Sequence, residues 1–491
     1  MRSRRDQVHA YAFLNRRTTD ALVAGSADSI GPHLQRLTRT QFSGVMAGLV
    51  ALAGFGVAGL VSPGSARHWQ RQDGVVIEKE TGARYAWYAG TLHPSLNYAS
   101  ARLAVGPDKA TSRVSRRSLS GVARDPRTSG IDGAPDSLPG AGSLLTAPWS
   151  VCSSPVLDAA GDAGTRRSTT LAVGTPPGAP VGRDTGLLVT AAGQPAGGAL
   201  QVVWDGARHR IAGPAAAAAL GLSGEPARQV SPAWLDALPQ GADLAVPAPS
   251  GSGSAGPTVG GRPTRVGDVL VATLPQGKEY AVVAATGVVP VSALAAGLEL
   301  AGTPSATSRA VPVAALASAP QAARPAALDR LPAAPLRLAD ADPAARTLCV
   351  TRAVSASGAG AAEVRVAAAA PTGVRPAGGS ASAAAPLADA VALPAGSAVL
   401  VRAEPAPGVR TGTRYLVTGT GVRFPVADDD ALASLGYAGA APLEVPPLVL
   451  DLLPQGPLLS RAAAVAPVPV ATAAPSEAPS PAPSAPAPLG G

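Results

Sequence analysis

In one place along the chain, apolar residues run without a single charged neighbour. This stretch begins at Phe42, ends at Val61, and has no Asp, Glu, Lys or Arg among its twenty residues. As an α-helix it would be about 30 Å long, close to the thickness of the hydrocarbon core of a bilayer. The pattern therefore predicts one transmembrane helix over residues 42–61.

The polar residues before this stretch give it a direction. Residues 1–41 contain seven arginines and three aspartates, a net charge of +4, and basic residues beside a span tend to stay in the cytoplasm. We expect the N-terminus in the cytoplasm and the bulk of the chain outside it. The alternative is a cleaved signal peptide, but such a peptide has an apolar core of only about 7–15 residues and a small-residue cleavage site.

The first 41 residues have a pattern of their own, with apolar residues at near-helical spacing and Arg16 and Arg17 on the other side. The apolar positions are Val8, Phe13, Leu14, Ala21 and Leu22. The pattern predicts a basic amphipathic head. Such a helix either rests on the membrane surface or docks a cytoplasmic partner. The predicted docking residues are Phe13, Leu14, Arg16, Arg17 and Leu22.

Beyond residue 61 the apolar residues form short Val- and Leu-rich runs, and part of this pattern repeats. Residues 200–241 align with residues 415–456 at a constant offset of 215, which places one LPQG string on another. Fainter copies begin at Arg84 and Tyr280. Each copy predicts a strand, a glycine turn, a second strand, an Ala- and Leu-rich helix and a closing strand. Because a unit of about forty residues buries little surface alone, the copies should pack on a shared body.

Two cysteines, Cys152 and Cys349, lie 197 residues apart in the segments that should form this body. Distant cysteines outside the cytoplasm usually pair, and no CxxC spacing indicates a metal site. We expect a disulfide between them, and two free thiols are the alternative.

The predicted fold class is that of a single-pass membrane protein with an α+β extracytoplasmic region, in which four peripheral α/β repeat domains surround a β-rich central domain closed by the disulfide. The predicted boundaries are 1–41 for the cytoplasmic head, 42–61 for the transmembrane helix, 62–135 for a linker and the first repeat, 149–190 and 346–403 for the central domain, 200–245, 278–318 and 413–460 for the other repeats, and 464–491 for a disordered Pro/Ala/Ser tail.

Neither the charge balance nor the sequence motifs predict a catalytic or ligand-binding site. Half of the net charge of +8 lies in the head, so the basic balance predicts no nucleic acid partner. None of the three lysines stands in a phosphate-binding loop, and the five histidines have no metal-binding spacing. The acidic run that starts at Asp428 should cap a helix. The sequence predicts no catalytic residue, no metal and no cofactor.

Several strings together resemble one known family. They are the head itself, LHPSLNYASARL at 92–103, GIDGAP at 130–135, WSVC at 149–152, WDG at 204–206 and the LPQG at 238–241. With them the chain resembles EccB, a core membrane component of actinobacterial type VII (ESX) secretion systems, over nearly all of its length except the tail.

The resemblance implies an inner-membrane subunit whose periplasmic repeats surround a disulfide-closed centre. It implies assembly with EccC (an FtsK-like ATPase), EccD, EccE, the mycosin protease and further copies of itself, in support of the export of WXG100-type proteins. The leading hypothesis is thus a structural scaffold. Some family members carry an ATPase label, so ATP hydrolysis is one alternative, and a cell-wall-binding module is another.

Overall fold

The computed structural model describes residues 3–25, 33–61, 65–157, 163–194, 199–245, 249–331, 337–339, 346–376, 387–406 and 408–469. The chain begins with two helices, α1 (Arg4–Ala24) and α2 (His33–Val61). Ser3 caps α1 by accepting a hydrogen bond from the Arg5 N–H, and Gly25 ends it in the left-handed conformation. Helix α2 contains the whole predicted span.

A first small domain, unit 1, follows a 3₁₀ helix at Ser65–Arg71. Its elements are β1 (Gly74–Glu78), β2 (Arg84–Tyr88), β3 (Thr91–Ser95), α3 (Tyr98–Val105), β4 (Ala110–Val114) and α4 (Arg116–Leu119). The strands lie in the order β3-β2-β1-β4, with β1 to β3 antiparallel and β4 parallel to β1.

The chain then forms part of a larger sheet before it builds two more small domains. The first strands of that sheet are β5 (Trp149–Leu157), β6 (Ala163–Val173) and β7 (Ala179–Pro180). Unit 2 comprises β8 (Thr185–Ala191), β9 (Gln201–Trp204), β10 (Ala207–Arg210), α5 (Pro214–Ala219), β11 (Arg228–Val230) and α6 (Pro232–Asp236). Unit 3 comprises β12 (Val269–Leu274), β13 (Gly277–Ala284), β14 (Gly287–Val291), α7 (Ala293–Gly302), β15 (Ser308–Ala310) and α8 (Val313–Ala317).

The last third of the chain completes the larger sheet and adds a fourth small domain. The connecting strands are β16 (Arg337–Leu338), which pairs with β8, and β17 (Thr347–Ser355), β18 (Gly358–Ala367) and β19 (Ala390–Ala392). Unit 4 comprises β20 (Ala398–Ala403), β21 (Arg414–Thr418), β22 (Arg423–Val426), α9 (Asp429–Leu435), β23 (Leu443–Val445), α10 (Pro447–Leu450) and α11 (Arg461–Val465).

Units 1 to 4 have the same topology. In each, three antiparallel strands are followed by a helix and by a strand that returns parallel to the first. The larger, central sheet has the order β19-β6-β5-β17-β18-β7. Over the described ranges, five sheets with interspersed helices make the fold α+β, as predicted.

The unit boundaries differ from the predicted ones at the first strand. The sequence placed β8 and β20 in the central domain and began the third repeat after β12, but all three strands lie inside a unit sheet. These strands read as continuous Val/Leu runs because both of their faces are buried, for example Leu187, Leu188 and Val189 in β8. Without alternation, such a run cannot be distinguished from a central strand.

The predicted tail also begins too early. Helix α11 extends to Val465, and its Ala464 is fully buried against unit 1 and unit 4. Pro467 bridges Ser129, and the Val468 N–H donates to the Thr128 carbonyl at 2.9 Å. The rest of the predicted tail, 470–491, lies outside the described residues.

Three hydrophobic cores join the units in pairs around the centre. One core joins α3 of unit 1 to α9 of unit 4 through Leu103 and Leu432. A second joins α5 of unit 2 to α7 of unit 3 through Ala217 and Leu298. The largest lies on the central sheet and receives α6 of unit 2 and α10 of unit 4. The platform therefore consists of a central sheet whose core joins the pair of units 1 and 4 to the pair of units 2 and 3.

Candidate functional site

The predicted docking residues lie on the surface of α1. Phe13, Leu14 and Leu22 have exposed fractions of 65%, 61% and 80%. Arg16 and Arg17 follow Phe13 by three and four residues, so the arginines lie beside Phe13 on one face. Leu22, nine residues after Phe13, lies on the opposite side. The sequence pattern had placed the arginines away from all the apolar residues, and the helix brings together only part of the predicted set.

Helix α2 carries a similar exposed apolar surface. Several of its large apolar side chains are more than half exposed, among them Phe42, Leu49, Val50 and Leu52. Contact with water would not favour this exposure. In the part of the chain that the structure describes, no helix meets both requirements of a membrane span, sufficient length and sufficient apolar character.

The central sheet contains the predicted disulfide. Cys152 on β5 lies directly opposite Cys349 on β17 in an antiparallel pair, with their Cα atoms 4.0 Å apart. Both residues are fully buried. The bond joins two strands that are 197 residues apart in sequence, so it fixes the two halves of the central domain to each other.

Units 2 and 4 each fasten their third strand to the helix that enters the central core. Nη1 of Arg208 on β10 lies 2.9 Å from Oδ1 of Asp236, and Nη1 of Arg423 on β22 lies 2.9 Å from Oδ1 of Asp451. The aspartates end α6 and α10, the two helices in the central core. The sequence comparison at offset 215 aligned the arginines, and the same offset also aligns the aspartates, which could have revealed the pair.

The LPQG strings pair with the same third strands. The Arg208 N–H donates to the Pro239 carbonyl at 2.9 Å, and the Gly241 N–H donates back to the Arg208 carbonyl at 2.8 Å. Unit 4 repeats this exchange through Arg423 and Gly456. In unit 3, Val288 forms a backbone β-bridge with Gln321, and in unit 1, Leu92 forms one with Arg124. Each unit thus covers the outer edge of its sheet with its own chain, which protects that edge from pairing with another protein.

Unit 1 and unit 4 also contact each other through polar groups. Nε of Arg102 on α3 donates to the Ser434 carbonyl on α9 at 2.9 Å. The Tyr437 hydroxyl donates to the Pro139 carbonyl at 2.8 Å, and burial raises the pKa of Tyr437 to about 12. The phenol therefore keeps the proton that it donates to Pro139 at neutral pH.

A cleft of about 1360 Å³ opens beside this junction. Its charged lining consists of Asp132, Asp136, Asp451 and Arg423. Arg423 is bound to Asp451 and lies over the ring of Tyr415 at 5.2 Å. Asp136 is likewise paired, with Nη2 of Arg84 at 3.4 Å. The described lining therefore offers no unpaired arginine or lysine to an anionic ligand such as a nucleotide.

Other candidate chemistry in the sequence has structural roles. Asp428 caps α9 by accepting a hydrogen bond from the Ala431 N–H at 2.7 Å, which confirms the predicted cap. His93 lies 3.3 Å from Asp125 and stacks on Tyr88, and His209 Nδ1 lies 2.8 Å from the Ala242 carbonyl oxygen. Across the described ranges, no three His, Cys, Asp or Glu side chains are grouped so as to hold a metal ion.

Sequence comparison relates the chain to known proteins over most of its length. It matches the family model described as "Type VII secretion system ESX-1, transport TM domain B" over residues 2–469. The protein named ESX-2 secretion system ATPase EccB2 from Mycobacterium tuberculosis (strain H37Rv) is 30% identical over 424 residues, which cover 80% of this chain and 81% of that relative. The ESX-3 secretion system ATPase EccB3 of Mycolicibacterium smegmatis is 29% identical over 497 residues, covering 94% of this chain and 90% of the relative.

Solved structures give the same relationship. A chain of an intact ESX-5 inner membrane complex superposes with a TM-score of 0.66 at 27% identity, covering 100% of this chain and 98% of that one. A chain of an EccB3 dimer from the ESX-3 core complex superposes with a TM-score of 0.62 at 26% identity, covering 80% of this chain and 100% of that one.

Proposed function

The chain belongs to the EccB family of type VII (ESX) secretion membrane components, and from this premise we propose that it is a structural subunit of such a complex. It acts through non-covalent contacts with other subunits. A small helix on the cytoplasmic side binds partner subunits, and a large platform on the other side holds the assembly together. This supports the export of WXG100-type proteins.

The observation that carries the proposal is the construction of the platform. Four small domains of one topology are fixed in pairs to a central sheet by buried cores and by the Cys152–Cys349 bond. We take the four units to be copies of one repeat. Such a body offers several similar surfaces at fixed distances, which suits a scaffold, whereas an enzyme needs one site with converging reactive groups.

We further propose a single membrane span over residues 42–61, with the N-terminus in the cytoplasm and the platform in the periplasm. The absence of charge along this part of α2 and the arginines before it support this topology. A disulfide in the platform agrees with an oxidising compartment.

For partners, we propose EccC, EccD, EccE, the mycosin protease and further copies of the chain. Support comes from the neighbours, which are chains of an ESX-5 inner membrane complex and of an EccB3 dimer. We propose that the exposed residues of α1 contact cytoplasmic partners, with Phe13, Leu14, Arg16 and Arg17 on one part of the surface and Leu22 on the opposite side.

Two deletions of similar size test the docking role of α1. The tagged full chain is purified in detergent with its partners, beside one variant without residues 1–25 and another without residues 470–491. We expect EccC, EccD and EccE to be lost from the first variant and retained by the second, because only the first lacks the docking helix. Equal recovery of the partners by both variants would contradict the proposal.

ATP hydrolysis is the competing function, because the relatives' names include the word ATPase. We propose that the chain uses no cofactor and hydrolyses no ATP. Purified full-length chain, free of EccC, should release phosphate from ATP no faster than a buffer blank. Turnover that follows the chain through a further purification step would favour the enzyme.

A further inference from the structure

Unit 1 and the segments that flank it together carry a large net positive charge. Residues 65–130 contain eleven Arg and Lys against five Asp and Glu, a net charge of +6, whereas the residues after 130 sum to −2. The positive charge outside the head is therefore concentrated in the unit that directly follows α2.

Six arginines of unit 1 and its flanking segments lie in a single layer. The 3₁₀ helix Ser65–Arg71, α4 and the segment 120–127 cover one face of the sheet, where Trp69, Leu119 and Val122 pack on Tyr85 and Trp87. Each of these three segments brings two exposed arginines. They are Arg67 and Arg71, Arg116 and Arg117, and Arg124 and Arg127. We call this layer the arginine face.

The arginine face is also where the chain arrives from α2. Only three residues, 62–64, separate Val61 from Ser65, and the four Cα–Cα steps between Val61 and Ser65 span at most about 14 Å. The 3₁₀ helix is fixed to the sheet, because Trp69 packs edge-on against Trp87 at 5.1 Å and Nε1 of Trp87 donates to the Gln70 carbonyl at 3.3 Å. The face therefore cannot move far from the end of α2.

Three of the six arginines on this face already interact with neighbouring side chains. Arg116 Nε donates to Glu78 at 2.7 Å, a bond that lowers the pKa of Glu78. Arg127 contacts Asp125, and Arg124 lies over the ring of Tyr85 at 5.0 Å.

Three arginines of the face remain available. Arg67, Arg71 and Arg117 are exposed, and within the described residues none of them forms an ion pair. These three guanidinium groups are free to bind an external anion.

We propose that the arginine face of unit 1 binds the headgroups of anionic phospholipids at the outer surface of the membrane. Guanidinium groups bind phosphate oxygens through paired hydrogen bonds, and basic residues within a Debye length of an anionic surface are attracted to it. The inference rests on the single span of the proposed function, which brings the face to the lipid. Headgroup contact would fix the tilt of the platform relative to the membrane.

A fluorescent label on the face tests this contact in the full-length chain. Ser120 is exposed at the end of α4, and the two native cysteines are bonded to each other, so Ser120→Cys supplies one reactive thiol. The labelled chain is placed in nanodiscs that contain a headgroup quencher, made either from phosphatidylcholine alone or with added phosphatidylglycerol. We expect stronger quenching with phosphatidylglycerol, and a progressive loss of the difference as salt is added.

Two triple charge-reversal variants distinguish an effect of the arginine face from an effect of the total net charge of the chain. The variant R67E/R71E/R117E should lose the response to phosphatidylglycerol, whereas R262E/R265E/R375E, which changes exposed arginines elsewhere by the same charge, should retain it. Equal quenching in the two lipids, or an equal effect of the two triples, would overturn the proposal. A chain that does not elute with the discs contradicts the single span itself. A chain that elutes with them but ignores lipid charge contradicts only the headgroup contact.

Discussion

Nη1 of Arg423 lies 2.9 Å from Oδ1 of Asp451, and this pair ties the third strand of unit 4 to the helix that enters the central core. The arginine side chain is only 12% exposed and also packs on the ring of Tyr415. Unit 2 has the same pair in Arg208 and Asp236. Units 2 and 4 therefore use the same ion pair to hold the third strand to the helix that enters the central core.

This ion pair should contribute measurably to stability. In a double-mutant cycle of Arg423→Met and Asp451→Asn, we expect a coupling free energy of about 1 kcal/mol, because the partly buried arginine is poorly screened by water. Urea unfolding of the full chain in detergent measures it. The pair Arg324–Asp329, 2.8 Å apart but 44% and 64% exposed, is the control and should give less than about 0.5 kcal/mol. Equal coupling in the two cycles would show that burial has no role.

The glycine of the LPQG string should be essential for packing in unit 4. A Cβ at Gly456 would lie 2.4 Å from the ring of Phe424, so we expect Gly456→Ala to destabilise the chain by about 1–3 kcal/mol. Gly419→Ala is the matched control, because a Cβ there has no neighbour within 4 Å. Thermal unfolding of both variants checks the prediction, which fails if their melting temperatures agree.

These residues show how far the sequence determined the fold. The offset of 215 aligned Arg208 with Arg423 and one LPQG with another, and both pairs occupy equivalent positions in units 2 and 4. The match is strong because these two units share one environment, the central core. Units 1 and 3 have no helix in that core, and their sequences match those of units 2 and 4 only in the strand pattern.

The disulfide should stabilise the central domain substantially. We expect the double variant Cys152→Ala/Cys349→Ala to lose about 2–5 kcal/mol, since the bond closes a long loop and both sulfurs are buried. Differential scanning fluorimetry with and without a reductant measures this loss. The reductant should lower the melting temperature of the native chain and leave that of the double variant unchanged. If the native chain had the same melting temperature with and without the reductant under unfolding conditions, the prediction would be contradicted.

Other features could not be predicted because they depend on contacts between distant segments. Nothing local marks Arg102 of α3 as a donor to Ser434 of α9, since 332 residues separate them. Which residues share a face with Phe13 depends on whether α1 is one uninterrupted helix. The sequence pattern alone does not decide this, so it could not place Phe13 beside the arginines. Ala464 reads as part of a Pro/Ala/Ser tail until the junction of units 1 and 4 buries it.

Glu299 makes the stability of unit 3 depend on pH. This residue of α7 is fully buried. Its Oε1 accepts a hydrogen bond from Thr303 at 2.7 Å, and its Oε2 has no partner among the described residues. Burial raises the pKa of Glu299 above its ordinary value of 4.5. Between the unfolded and the folded pKa the native chain binds more protons than the unfolded chain, so stability falls as pH rises through this window.

A neutral side chain should remove this pH dependence. We expect Glu299→Gln to unfold at a higher temperature than the native chain at pH 7, since glutamine keeps the acceptor for Thr303 and carries no buried charge. The difference should shrink as the pH falls below 4.5, where the native glutamate is neutral in both states. Asp268 of the same unit is the control, because hydrogen bonds from the Arg265 N–H and from Thr307 outweigh the effect of burial and lower its pKa. Asp268→Asn should therefore destabilise the chain at pH 7, and a Glu299→Gln variant that does the same would show that the buried carboxylate is favourable.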